Sequence, residues 1–92
     1  MIGEKLVNLI LEHKEDFLYT SKCRKMTSVG NKDLHQTVID LLEREDQSMV
    51  EIGLYAAVYN TWFHKPLMGV IYCLSVDYEV KLSFIEAYEE IL

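Results

Sequence analysis

The sequence predicts an all-α fold, a small antiparallel bundle of four helices plus a short fifth. Three observations carry that prediction. Apolar residues recur at helical spacing along most of the chain. Proline and glycine are scarce, at one and four residues, which disfavours a turn-rich β-sandwich. Cap-like residues stand where the periodic stretches begin.

The first helix is expected from about Glu4 to Tyr19, with Leu6, Val7, Ile10, Leu11, Phe17 and Leu18 on one face. Glu4 suits the positive end of its dipole. From Thr20 to Asn31 the periodicity lapses into polar residues and Gly30-Asn31, which reads as a loop with at most a frayed helical start. A loop of that length is long for a compact domain, and long loops are often functional. A second helix is expected from about Lys32 to Glu45, capped by Asn31, with Leu34, Val38, Leu41 and Leu42 inward.

Asp46-Gln47 reads as a turn, and Ser48 with Glu51 as a capping box opening a third helix from Met49 to about Phe63. Ile52, Leu54, Tyr55, Val58, Tyr59 and Trp62 leave that helix almost no polar face, so it is expected at the centre or under a partner. Gly53, Ala56 and Ala57, with Asn60 a turn later, form a strip that admits a close neighbour. His64-Lys65-Pro66 is expected to end it, because a residue before proline resists helical geometry. Leu67 to Leu74 reads as a short buried helix; the alternative is an α+β fold with a short strand near 69–76. The last helix, capped by Ser75 or Asp77, places Val80, Phe84, Tyr88 and Ile91 inward and Glu79, Glu86, Glu89 and Glu90 outward.

At 92 residues the chain is expected to be one domain spanning 1–92, and half of its residues are hydrophobic, which supplies a core and argues against disorder. No apolar run approaches the roughly 18 residues of a membrane span, and the start lacks a signal-peptide pattern. A cytoplasmic protein with two reduced thiols, Cys23 and Cys73, is the expectation. The net charge of −6 is unevenly spread. Thr20 to Lys32 holds Lys22, Arg24, Lys25 and Lys32 with no acid, while the rest carries five basic and fifteen acidic residues. An acidic body disfavours general nucleic-acid binding.

Chemistry-bearing motifs are sparse. His13, His35, His64, Cys23 and Cys73 show no metal-ligand spacing, so surface histidines and buried thiols are expected, with no metal and no cofactor. Cys73 lies in an apolar run, whereas Cys23 beside Lys22, Arg24 and Lys25 is the more reactive thiol by position. Phosphate-binding glycine loops and a nucleophile elbow are lacking, so an enzyme is not expected. Two candidate surfaces remain. Lys22, Arg24, Lys25 and Lys32, with Ser21, Thr27 and Ser28, suit phosphate oxygens or an acidic protein, or form a solvated loop. Glu43, Glu45, Asp46 and Glu51, and along the last helix Glu86, Glu89 and Glu90, suit imitation of the phosphate charge of nucleic acid or form ordinary solvated faces. Among the aromatics Tyr55, Tyr59, Trp62, Phe63, Tyr72, Tyr78 and Tyr88, one or two are expected exposed at the His64–Pro66 corner, as in binding hot spots.

Ile39-Asp-Leu-Leu-Glu, Leu54-Tyr-Ala-Ala-Val-Tyr-Asn, Leu74-Ser-Val-Asp and the closing amphipathic helix lie within residues 38–92. This pattern resembles a group of small helical proteins carried by phages and other mobile elements. The resemblance implies an accessory protein and supplies no site residues. The first functional expectation is therefore a non-enzymatic, stoichiometric inhibitor or adaptor of a host protein or nucleoprotein complex, of the anti-defence (anti-CRISPR) type. An immunity protein neutralising a bacteriocin or toxin is the alternative, and a small cysteine-dependent enzyme using Cys23 the third. A homodimer is compatible with each.

Overall fold

The computed structural model describes the backbone of residues 2–27 and 32–92, and the side chains of these residues other than 25–27, 32 and 33. Among the described residues six helices follow one another: α1 (Glu4–Glu12), α2 (Lys14–Thr27), α3 (Lys32–Leu42), α4 (Gln47–Val58), α5 (Thr61–Cys73) and α6 (Tyr78–Glu89). The all-α class stands. The four-plus-one count does not, and the alternative strand near 69–76 is replaced by the end of α5 and its cap, Leu74.

The expected first helix breaks at His13, whose φ of −111° and ψ of 36° turn the chain between α1 and α2. The expected loop from Thr20 is instead the second half of α2 as far as Thr27. Its first polar side chains are accommodated within the helix. Thr20 Oγ1 donates to Asp16 O at 2.9 Å and Ser21 Oγ to Phe17 O at 2.8 Å, so both polar side chains are satisfied by their own helix and are buried. The expected Asn31 cap and Ser28 lie outside the described residues. α3 ends at Leu42, short of the expected Glu45.

The cap of α4 is Asp46, which was expected to be turn. Its carboxylate accepts from Ser48 N at 3.0 Å and Met49 N at 3.4 Å, the part expected of Ser48. Asn60, expected in the small strip, caps α5 by accepting from Trp62 N at 3.0 Å. The expected boundary at Pro66 is overturned, for Pro66 lies inside α5. It lacks the amide that would reach the Trp62 carbonyl one turn back, a cost of one backbone bond. Its ring is buried and shares a small cavity with Phe17, His35 and Leu67.

The core draws Leu6 from α1, Phe17 from α2, Val38 from α3, Leu54 from α4, Leu67 from α5 and Phe84 from α6. Phe17 and Phe84 stack across it with centroids 6.3 Å apart. The expected central helix was Met49–Phe63. In the structure α5 takes that place, touching α2, α3, α4 and α6, while α4 leaves one face outside. A radius of gyration of 11.9 Å matches the roughly 12 Å of a chain this long folded around one core. Among the described residues no helix is long and apolar enough to cross a membrane.

Candidate functional site

Of the four basic candidates, the side chains of Lys22 and Arg24 are described, and they engage different partners. Lys22 Nζ lies 2.6 Å from Glu43 Oε1, so a member of the basic set and a member of the acidic set neutralise each other across α2 and the end of α3. Arg24 lies over α5, with Nη1 3.8 Å from Cys73 Sγ. A Cβ on Gly69 would fall 2.8 Å from Arg24 Nη2, so the glycine gives the guanidinium its seat. The side chains of Lys25 and Lys32 lie outside the described residues.

The acidic candidates fall into two groups. Glu45 and Asp46 are exposed in the turn that opens α4, with Glu51 one turn into it. Glu86, Glu89 and Glu90 are exposed at the far end of α6, where Glu90 approaches Lys5 at 3.9 Å. Two expectations about sulfur and nitrogen are corrected. Both cysteines are exposed, Cys73 included, because it ends α5 on the outer side. His35 is buried between α2 and α5, at 3% exposure, while His13 and His64 are half-buried. Burial holds the His35 imidazole below its usual range, and the Arg24 charge lowers it further. Among the described residues no three of His, Cys, Asp and Glu come together as metal ligands.

The surface that stands out is apolar. On α4, Val50, Leu54, Ala57 and Val58 are buried, while Met49, Ile52, Ala56 and Tyr59 follow at spacings of three and four on the opposite side and are exposed. Met49 is 45% exposed, Ile52 63%, Tyr59 50% and Trp62, at the start of α5, 76%. Tyr59 donates its hydroxyl to the Ile2 carbonyl, which joins the exposed Ile2 to this strip. Burial raises the Tyr55 hydroxyl above its usual range, and the carboxylates of Glu4 and Glu51 beside it raise it further, so that edge of the strip is negative.

Along its other edge runs an open groove of about 400 Å³ between α3 and α4. Gly53, Ala56, Ala57 and Phe63 make its apolar lining, with Asp40 and Arg44 on the α3 side. The groove exists because the residues on this side of α4 are small. His64–Pro66, expected to be a corner with one or two exposed aromatics, is helix interior; of the aromatics named, Tyr59, Trp62, Tyr72 and Tyr78 are exposed and Phe63 is buried. The expectation for Met49 and Ile52 is a helix at the centre or under a partner, and here they face outward. Their common phase, opposite Val50 and Leu54, was the signal that marked them as outward. A second and smaller apolar area lies between α5 and α6 at Tyr72 and Leu92. Comparison of the chain with protein-family models, with curated proteins and with solved structures finds no match.

Proposed function

We propose that this chain is a non-enzymatic binding protein, encoded by a phage or other mobile element, that occupies a host protein or nucleoprotein complex one for one. The exposed strip on α4 is the observation that supports it. Met49, Ile52, Tyr59 and Trp62 place large apolar side chains in water over several turns, a cost that a partner would remove. Aromatic and methionine side chains are also the types that partner-facing cores favour. A host component as the target is supported by the sequence pattern of residues 38–92, which resembles accessory proteins of mobile elements.

The test is stoichiometry. Titrated against its captured target, the chain should reach full effect at one copy per target. The double variant Cys23→Ser, Cys73→Ala should reach the same endpoint, since both thiols lie outside the strip. An effect that continues with the target in large excess, or that vanishes in a folded double variant, would overturn the proposal in favour of catalysis.

A further inference from the structure

We infer that the outer face of α4, together with the groove between α3 and α4, docks a cationic amphipathic helix of a partner protein. The inference rests on the binding reading above and adds to it the surface and the chemistry of the occupant. Shape is the first argument. Met49, Ile52 and Tyr59 form a ridge, and beside it the groove of about 400 Å³ is floored by glycine and alanine. A ridge next to a groove is what one helix offers another in ridges-into-grooves packing. Gly53 is already covered by Leu41 of α3, and the exposed Ala56 beside the groove is the small residue that lets a second axis approach within the usual 8–10 Å or so.

Charge chooses the occupant. α4 carries no lysine, arginine or histidine, and its one charged residue is Glu51. Glu45 and Asp46 stand exposed at its start, and Asp40 lines the far side of the groove. Among the residues lining the groove the cation is Arg44. A partner helix with an apolar face and lysines or arginines along its borders matches both features. A second copy of this chain matches the apolar part only. It would set Glu45, Asp46 and Glu51 against another acidic surface, on a molecule of net charge −6. An anionic membrane or nucleic acid meets the same repulsion.

The probes are two synthetic helical peptides of about 14 residues, long enough at about 21 Å to follow α4. Both carry the same leucine face; one has lysine on its polar face and the other glutamate. Affinity is measured by calorimetry for the full chain and for two variants whose folding is checked by thermal melting. The leucine–lysine peptide should bind saturably at one per chain, and the leucine–glutamate peptide should not bind. Met49→Ser with Ile52→Ser should weaken binding roughly tenfold or more, as loss of central apolar contacts does. Glu45→Gln with Glu51→Gln should also weaken it and reduce its salt dependence. Equal binding of the two peptides would overturn the charge argument, and unchanged affinity in the serine pair would overturn the location. Self-association of the wild type that Ile52→Ser abolishes would replace the cationic helix by a second copy. Each of these failures leaves the one-for-one titration to judge the binding reading separately.

Discussion

Val58 ends α4 with a carbonyl whose helical partner is engaged elsewhere, since Trp62 N bonds the Asn60 side chain. His64 supplies the missing donor. Its Nε2 lies 2.9 Å from Val58 O, and because a carbonyl only accepts, Nε2 carries the proton. The His64 carbonyl in turn accepts from the Tyr88 hydroxyl at 2.7 Å, and the two rings meet edge-on at 5.9 Å. Three helices are thus clasped at one point. Tyr88→Phe keeps the ring and removes the bond, so it should cost about 0.5–1.5 kcal/mol, read as a melting midpoint several degrees lower. His35 makes a different test. Its folded pKa is lowered from 6.5 by burial and then by Arg24, so well above pH 6.5 it is neutral in both states and exacts no penalty. As pH falls below 6.5 the unfolded chain takes up the proton first, and stability declines until the lower folded value is passed. Denaturant unfolding from pH 7.5 downward should show a steeper loss for the wild type than for His35→Gln, with carboxylate effects common to both. Parallel profiles would remove His35 as the cause.

At the scale of the helix, Gly53 sets how closely α3 and α4 pack. A Cβ there would stand 2.8 Å from Leu41 Cδ2 and 3.1 Å from its Cγ, and Leu41 belongs to the core. Alanine gains about 1 kcal/mol of helix propensity over glycine, while overpacking a core costs about 1–3 kcal/mol. The clash should win, leaving Gly53→Ala about 1 kcal/mol less stable in denaturant unfolding. An unchanged or higher midpoint would mean that Leu41 yields freely into the groove. This glycine was legible in the sequence as part of a strip for close approach, and the buried stripes of α1, α3 and α6 were legible from periodicity. The break at His13 was not, because Leu6, Ile10 and Phe17 keep helical phase straight through it. The helical state of Thr20 and Ser21 was hidden for a different reason. They stand three and four residues after Phe17, in phase with the buried stripe, but as polar residues they look like loop until their hydroxyls are seen bonding the preceding turn. Lys22 meets Glu43 and Arg24 meets α5, pairings that no sequence spacing announces.

Over the whole molecule, charge sets folding and binding against each other. A net charge of −6 sits on a body of 30 × 29 × 24 Å. Six net charges on a sphere of about 13 Å, against an unfolded chain about twice as wide, give a self-repulsion on the order of 2–3 kcal/mol in water without salt. The pairs Lys5–Glu90 and Lys22–Glu43 are half exposed and contribute no more than about 1 kcal/mol each, so screening removes more repulsion than attraction. Raising sodium chloride from about 0.01 M to about 0.15 M shortens the Debye length from about 30 Å to about 8 Å. The melting midpoint should therefore rise by several degrees over that range. A cationic helix approaching Glu45, Asp46 and Glu51 is steered by the same field, and its association rate should fall as the salt rises. Thermal melts and stopped-flow binding across one salt series measure both responses on one sample. A midpoint that falls with salt would show that attractive pairs outweigh the acidic excess. A rate indifferent to salt would show that the partner docks by its apolar face alone.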